Sequence, residues 1–493
     1  MSVRICMNVL SRQIRRRGAA WGLRASRTCV VAALCACAVG PDYQRPELPV
    51  TPTFRDTPAE ASSIADSAWF DVFSDPVLRQ LVDEALANNR DLQVAVARVE
   101  KARYSAAIAR SPLLPQVGYG GVASRGKQAT FGVEEQGSPV TNSFLLALAA
   151  SWELDVWGRI RRSAESARAD LLATDAVRRG VVLSLVSQVA QSYFELRELD
   201  LELQIATDAA KSFQETYDLF NRRYTGGATS ILDPLSAESS LAQYTGAVAQ
   251  AEQNIVLKEN EISVLLGRPA QNVPRGAALE TQTLAPQVPA GVPAQLLERR
   301  PDLIESEQQL VAANAQIGEA FANYFPRIGL TAFGGTLSSD ASDLMEGKAS
   351  LWSYAAQGAG PLFTAGHTTY VWKGAKADTD AARASYEGAV LNALREVSNA
   401  LTVRKQQALV RAQQERGVTA LEKSLKTAIT RYSGGRANYL EVLIAQQHLY
   451  PAQVDLAQTR LREILSVVSL YKALGGGWNR GASQPEIPTP LMP

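Results

Sequence analysis

The sequence predicts a mixed α/β fold in which one unit, a long helical hairpin with two short strands, occurs twice. First, the phrase RYTGGATSILDPL at 223–235 returns as RYSGGRANYLEVL at 431–443. Second, no proline occurs in 140–233 or in 362–450, so nothing there must break a helix. Third, four other segments alternate apolar and polar or small residues with the period of two that is typical of strands.

The repeat extends well beyond this phrase. Residues 90–121 align with residues 301–335 at an offset of 211, and from Gly158 and Gly366 onward the offset is 208. Each half therefore carries the same order of elements, with about three residues lost in the second half. A repeat of roughly 210 residues is too long for a solenoid unit, which indicates a duplicated domain.

The proline-free stretches predict long helices. A helix from 158 to 223 would be ~100 Å long, more than any bilayer, so the helices are expected to cross an aqueous space. The Gly-Gly of the repeated phrase predicts a turn into a returning helix, and Pro451 inside the second returning helix predicts a local kink.

Apolar residues of the first long helix recur in steps of three and four, which predicts a coiled-coil seam. The seam residues are Val186, Val189, Tyr193, Leu196, Leu199, Leu203, Ala206, Ala210, Phe213, Tyr217, Phe220 and Tyr224. In the second half, polar Arg404, Gln407 and Arg411 interrupt this pattern.

Strands are predicted at 143–155 and 351–363, and after Pro115 and Pro326. Each has one face that is compatible with lipid, which suits a membrane barrel, although a soluble sandwich has the same pattern. Four strands cannot close a water-filled barrel, since about eight are needed. The chain is therefore expected to oligomerise, and three copies would supply twelve strands and six similar hairpin tips.

The first residues are typical of an export signal. Seven arginines precede a short apolar stretch at 28–36, and all four cysteines lie in the first 37 residues. The junction LCAC at 34–37 resembles a bacterial lipobox, so Cys37 is the predicted lipidation site. The alternative is an ordinary signal core with incidental cysteines.

Composition argues against two other classes of function. A net charge of +1 gives no reason to expect nucleic acid. The chain has only two histidines, no cysteine after Cys37 and no hydrolase, metalloprotease or P-loop motif, so we expect no catalytic residue, cofactor or metal site. Dedicated copper export finds no support in ligands, since Met345 and Met492 are the only methionines outside the signal.

Several motifs occur in a specific order along the chain. They are CAVGPDYQRP (37–46), SWELDVWGRIRR (151–162), LLERRPDL (296–303), ANYFPRIGLTA (322–332), the two tip phrases and SLYKALGGGW (469–478). Together they resemble the TolC-like outer-membrane efflux proteins, in particular the OprM/NodT lipoprotein branch.

The resemblance implies a homotrimer with a twelve-stranded barrel in outer-membrane lipid and a periplasmic α-helical tunnel. It also implies a tripartite pump with a periplasmic adaptor (membrane fusion) protein and an inner-membrane transporter of the RND type. The chain would be the pump's passive exit duct for small molecules or drugs.

Two alternatives stay open at this stage. A channel for type I protein secretion would use the same architecture. A periplasmic coiled-coil scaffold would need only the hairpins, and the alternating strands and the lipidation junction argue against it.

The resemblance also implies roles for residues at the tips. Glu441 corresponds to an acid that lines the periplasmic constriction, with Asp233 as its first-half counterpart; the alternative is that both acids only cap helices. Ile444 stands where relatives carry a second acid, which favours a partly apolar ring. Tyr432 and Arg436 resemble residues whose contacts hold the closed state. The predicted adaptor-docking residues are Arg223, Tyr224, Gly226, Gly227, Arg431, Gly434 and Gly435.

These arguments divide the chain into consecutive segments. They are a signal peptide (1–36), a lipidated N-terminal segment (37–75), a first repeat (76–267) with strands at about 115–128 and 141–155 and a tip at about 223–234, an equatorial linker (268–300), a second repeat (301–477) with strands at about 326–338 and 350–363 and a tip at about 431–442, and a C-terminal tail (478–493).

Overall fold

The computed structural model describes most of the chain after the predicted signal. The signal peptide, Cys37 and the C-terminal tail lie outside the described residues. The described ranges are 38–48, 53–54, 75–127, 140–282, 293, 296–345 and 350–476.

The described residues form helices and strands in the duplicated order that the sequence predicts. They are α1 (Pro76–Asn88), α2 (Arg90–Arg110), β1 (Gln116–Lys127), β2 (Val140–Leu154), α3 (Arg159–Thr225), α4 (Leu232–Leu265), α5 (Leu296–Arg299), α6 (Pro301–Ala322), β3 (Arg327–Ser338), β4 (Ser350–Ala359), α7 (His367–Ser433) and α8 (Tyr439–Ala473). The prediction of long helical hairpins with four strands per chain is confirmed.

Two compact units share these elements, and the first contains the sheet. Its four strands are antiparallel in the order β1-β2-β3-β4. The register places Tyr119, Leu148, Gly334 and Trp352 in one row across the sheet, and the three large side chains of this row are exposed. The sheet therefore presents an apolar face.

The last strand is shorter than predicted. β4 ends at Ala359, before the predicted end at 363, and Leu362 lies in the connection to α7. The cause is Pro361, which has no N–H to donate to a strand ladder.

The second unit contains the tips of two helical hairpins. α3 and α7 have 67 residues each, and α4 and α8, which return from the tips, have 34 and 35. Much of the predicted seam is buried, including Val189, Tyr193, Leu196 and Phe213. Burial of these side chains is the main force that holds such long helices together.

The polar interruption of the second seam has a partner. Glu463 of α8 is buried, and its carboxylate is bonded by Arg411 and lies 3.9 Å from Arg404. An ion cluster therefore stands where the first hairpin has apolar Leu196 and Ile255 at the equivalent positions.

Each returning helix ends against the start of another helix. The carbonyl of Leu265, the last residue of α4, accepts a hydrogen bond of 3.0 Å from Asn89, which precedes α2. The carbonyl of Ala473, the last residue of α8, accepts one of 2.9 Å from Arg300, which precedes α6. Asn89 and Arg300 are equivalent at the offset of 211. In both halves, a side chain that precedes one helix thus donates a hydrogen bond to the last carbonyl of the returning helix.

The first part of the predicted linker is fixed by side-chain hydrogen bonds. Tyr193 donates to buried Asp75 (2.7 Å), and its oxygen accepts the N–H of Gly276 (3.0 Å). Burial alone would raise the pKa of Asp75, but bonds from Tyr193, Gln282 and two backbone N–H groups hold it below its ordinary value. Arg275 bonds Asp200 of α3 at 3.2 Å. Hydrogen bonds and an ion pair therefore hold residues 268–282 against α3.

Two classes of feature are absent from the described part of the chain. None of its helices combines the length and apolarity needed to cross a membrane. No group of three or more His, Cys, Asp or Glu side chains in the same residues is arranged to hold a metal ion.

The junction at Arg300 generates a stability prediction. Arg300 is buried and also pairs with Asp302 (2.7 Å) and Glu396 (2.8 Å). Arg300→Ala removes these bonds, and we expect it to lower the free energy of unfolding by ~2–4 kcal/mol. The neighbouring exposed Arg395, changed to alanine, should cost less than ~0.5 kcal/mol. Guanidinium titration followed by far-UV circular dichroism measures both, and equal losses would contradict the role of Arg300.

Glu198 on α3 generates a pH prediction. It is 6% exposed, and its Oε1 has no hydrogen-bond partner among the described residues. Burial raises its pKa to about 8, and Glu202 and Glu195 act in the same direction. A folded pKa above the unfolded one means that stability is lost as pH rises from the unfolded value to about 8.

Glu198→Gln should therefore raise the melting temperature at pH 9 and leave it nearly unchanged at pH 4, where both side chains are neutral. The exposed Glu238 of α4, changed to glutamine, is the control. If Glu198→Gln stabilised the protein equally at both pH values, the raised pKa of Glu198 would be contradicted.

Candidate functional site at the hairpin tips

The two tips have the same backbone geometry. In the first, Ala228 N–H donates to Arg223 O (2.8 Å) and Gly227 N–H to Tyr224 O (2.9 Å). This pair of bonds is the Schellman motif. In the second tip, the corresponding bonds run from Arg436 to Arg431 (2.9 Å) and from Gly435 to Tyr432 (3.0 Å).

Glycine is required at these turns for its backbone conformation. Gly227 and Gly435 have φ of 71° and 70°, in the left-handed region. A Cβ at either position would meet nothing within 4 Å, so space is not the constraint. Gly226 and Gly434 precede them with ordinary φ.

One contact joins the two tips. The guanidinium of Arg223 donates a hydrogen bond to the hydroxyl of Tyr432 and lies 5.1 Å from the centroid of its ring. The sequence had assigned Arg223 to docking and Tyr432 to the gate. The structure brings them together, so one contact belongs to both predicted functions.

An aromatic cluster lies beneath this contact. Phe220 of α3 is 4.2 Å from the ring of Tyr439 and 6.3 Å from that of Tyr432. Burial raises the pKa of Tyr439 to about 12, so its hydroxyl is neutral at physiological pH. Tyr439 was not predicted from the sequence. The first tip has Ile231 at the equivalent position, and an aromatic residue in its place was a usable signal.

The two predicted gate acids have different neighbours. Glu441 lies 3.8 Å from Arg431, and both side chains are about half exposed, so this pair contributes little to stability. Asp233 accepts a hydrogen bond from Thr229. Each acid is in the first turn of its helix. Both acids remain available to water.

Two other predicted gate residues face solvent. Ile444, one turn of α8 after Glu441, is 45% exposed. The side chain of Arg436 is also exposed, and its backbone N–H closes the second turn. Tyr224, predicted for docking, is exposed as well.

A buried polar bond behind the tips was not predicted. Gln446 of α8 is almost fully buried and donates to Ser212 of α3 over 2.9 Å. Next to Ser212, Phe213 stacks on Tyr244 at 5.0 Å and lies 5.8 Å from Tyr450. These contacts tie both hairpins together directly behind the tips.

Comparison with known proteins decides the family. The sequence model of the family described as outer membrane efflux protein matches residues 81–268 and 292–476. These two ranges cover both halves of the repeat and both tips. The chain belongs to the outer membrane efflux protein family.

Relatives match this efflux protein over nearly their whole length. The cation efflux system protein CusC of Escherichia coli O6:H1 is 33% identical, over 92% of this chain and 98% of the relative. The probable efflux pump outer membrane protein TtgC of Pseudomonas putida is 34% identical, over 92% and 95%.

Solved structures agree with this assignment. The outer-membrane channel OprN superposes with a TM-score of 0.83 at 32% identity, over 90% of this chain and 100% of that one. The outer-membrane channel MtrE of Neisseria gonorrhoeae, in its open state, gives 0.82 at 32%, over 90% and 99%. The predictions of an outer-membrane efflux channel component and of an outer-membrane location are confirmed.

The contact between Arg223 and Tyr432 generates a prediction for this efflux protein. Arg223→Ala removes the cation–π contact and the hydrogen bond, together worth about 1–2 kcal/mol at an exposed site. Amide hydrogen exchange of residues 431–438 should therefore become about five- to thirtyfold faster. The control is Arg222→Ala, because this guanidinium bonds only the Asp218 carbonyl of its own helix among the contacts seen here. Equal exchange in both variants would contradict the contact.

Proposed function

We propose that this protein is the passive exit duct of a tripartite efflux pump, which carries small molecules from the pump to the exterior. The observation that carries the proposal is the match to outer membrane efflux proteins along nearly the whole chain, both tips included. A type I secretion channel would use the same architecture, but no feature of the described residues favours it over small-molecule efflux.

The sheet supports a trimeric channel. β1 and β4 are the outer strands of the four-stranded sheet, and an unpaired strand edge in a membrane leaves backbone groups without partners. Pairing of β1 with β4 of another copy removes the edges, and three copies give twelve strands, above the roughly eight that a membrane barrel needs. The exposed row that contains Tyr119, Leu148 and Trp352 would then face lipid.

The tips support docking of an adaptor. Because both hairpins end in the same Schellman turn, a trimer presents six nearly identical tips to a periplasmic adaptor ring. Arg223, Tyr224, Gly226, Gly227, Arg431, Gly434 and Gly435 form that surface in our proposal. An RND-type transporter in the inner membrane would complete the pump.

The same tips carry the proposed periplasmic gate. Glu441 and Ile444 are exposed on one side of α8, a turn apart, and Tyr432 is bonded to Arg223. Three copies of Glu441 near one axis would repel one another and favour cations. Asp233 and Arg436 are included because they are exposed or half-exposed at the same end of the hairpins.

Relatives with similar identity to this chain are named for different cargoes. CusC is named for cations, ArpC of Pseudomonas putida for antibiotics and a TtgC from another strain of that species for toluene, all at 33–34% identity. This pattern is expected if the duct accepts whatever its transporter delivers. We therefore assign selection of the cargo to the transporter.

Single-channel conductance in planar bilayers tests the duct and its gate. The detergent-purified protein should be a trimer with small, fluctuating currents. Glu441→Ala with Tyr432→Phe should raise the conductance at least about threefold, because axial charge and a closing contact are both removed. The exposed Glu422→Ala of α7, distant from the tip, should leave it unchanged.

Each outcome has a separate meaning. A trimer that conducts identically in all forms would retain the duct and refute the gate. A water-soluble particle without conductance would refute the duct itself.

A further inference from the structure

A groove of about 750 Å³ lies in the second unit, where α8 ends and α6 begins. Its walls are parts of α3, α7 and α8, together with the first residues of α6. Among its apolar residues, Leu183 and Ala400 are buried, and Val403 is 47% exposed. A groove of this volume that combines apolar walls with a few polar groups is typical of a site for a small organic ligand.

The charged residues of the groove make it basic. Four cations and two acids line it, which gives a formal charge of +2, whereas the whole chain has +1. Both acids are bonded by one of the cations, since Arg300 pairs with Asp302 at 2.7 Å and with Glu396 at 2.8 Å. The remaining charges are therefore positive, and a concave surface of one sign attracts ligands of the opposite sign.

Arg395, Arg462 and Lys472 carry these remaining charges, and we call them the basic rim. All three side chains are exposed, and none forms an ion pair with a carboxylate in the part of the chain that the structure describes. Arg462 donates to Thr459 (2.9 Å) and to the carbonyl of Gln458 (3.2 Å), both on its own helix. The basic rim can therefore offer its N–H groups to an acid from another molecule.

The contacts of Arg300 show that two members of the basic rim stand at the same end of the groove. Arg300 bonds the carboxylate next to Arg395 (2.8 Å) and the carbonyl next to Lys472 (2.9 Å). Arg462 precedes Lys472 by ten residues of α8, which is ~15 Å along a helix. The groove therefore has two cations at one end and a third at the other.

A buried amide lines the groove at the end that holds Arg462. Glu463, the neighbour of Arg462, is bonded by Arg411 and lies 3.9 Å from Arg404, and Gln407 stands between these two arginines on α7. The Oε1 atom of Gln407 is buried and has no hydrogen-bond partner among the described residues. Because a buried amide oxygen costs free energy until it accepts a hydrogen bond, Gln407 is suited to a donor on a bound molecule.

The first half of the chain shows that these helices form without such charges. At the offset of 208, the equivalents of the basic rim are Ser187, Asn254 and Val264, and that of Gln407 is Leu199. None of these equivalents is charged, although α3 and α4 repeat α7 and α8. The basic rim therefore points to a ligand of the second half and not to a requirement of the shared fold.

We propose that this groove binds an elongated organic anion. The acidic group of the ligand lies between Arg395 and Lys472, and its apolar middle lies against Val403. A second polar or acidic group, ~15 Å away, lies at Arg462 and Gln407. This binding site needs only the fold of the second unit, so it goes beyond the exit duct and does not rest on it.

Fluorescence anisotropy of carboxyfluorescein, measured with the detergent-purified full chain, tests the site. This probe is an aromatic acid with several negative charges at neutral pH, and it stays in water and not in the micelle. Its anisotropy should rise to saturation with a Kd below about 100 μM. The rhodamine with the same ring system has no net negative charge and should bind at least about tenfold more weakly.

The first half of the chain supplies the substitutions. The triple variant with Arg395→Ser, Arg462→Asn and Lys472→Val gives the basic rim its uncharged first-half residues. It should weaken the binding of carboxyfluorescein at least about thirtyfold, because three charged donors are lost. Each single substitution should weaken binding at least about threefold, and the single variants serve where the triple variant fails to fold.

A second triple variant is the matched control. Arg416→Ala, Lys423→Ala and Lys426→Ala together remove the same charge from exposed positions of α7 outside the groove. This control should bind carboxyfluorescein as the parent does. The anion site is overturned by a parent without saturable binding, by equal affinities of the two triple variants, or by a rhodamine that binds as tightly as carboxyfluorescein.

Conductance of the same preparations separates this proposal from the proposed function. Protein that binds carboxyfluorescein but does not conduct refutes the exit duct alone. Conducting protein without saturable binding refutes the anion site alone.

Discussion

The turn that ends each long hairpin helix is made by a glycine in the left-handed region, at Gly227, Gly267, Gly435 or Gly475. In all four, the residue after the glycine donates to a carbonyl five residues earlier, which closes a Schellman motif. The first and third turns reverse the chain at the tips. The second and fourth end the returning helices where Asn89 and Arg300 meet them. These four backbone conformations therefore set where the two hairpins turn and where their returning helices end.

Between these turns the two halves hold together by different means. The first hairpin buries Leu196 and Ile255, whereas the second buries Glu463 with Arg404 and Arg411 beside it. Buried ion clusters gain less free energy than apolar packing but are more demanding of geometry. The halves share a backbone and have diverged in their interior.

Local sequence patterns predicted the parts of the fold that local rules control. The seam through Val189 and Phe213 was visible because helical periodicity marks buried positions. The predicted end of β4 at 363 is wrong because the alternation of apolar residues continues past Pro361, which has no N–H to donate to the strand ladder. Arg404 was seen as an interruption, since its partner Glu463 lies on another helix and no local pattern links them.

The same limit applies to the functional residues. Tyr432 was found through the repeated phrase, but its bond to Arg223 joins positions 209 residues apart. Residues 38–42 were predicted only as part of a lipidated N-terminal segment, because their bonds to Arg162 and Asn314 depend on how three distant segments meet. Short motifs indicated the candidate residues, and tertiary packing determines what those residues contact.

The equal lengths of α3 and α7, 67 residues each, have a consequence for how such a chain can change. β2 and β4 differ, with 15 and 10 residues, and most of the offset between the halves is absorbed around the strands. One residue added to a hairpin helix would advance its tip by about 1.5 Å and rotate everything beyond it by about 100°. A gain of length in one hairpin is therefore expected to require the same gain in the other, whereas a change near the sheet moves neither tip. Since the duplication, the two long hairpin helices of this chain have kept equal lengths, and its strands have not.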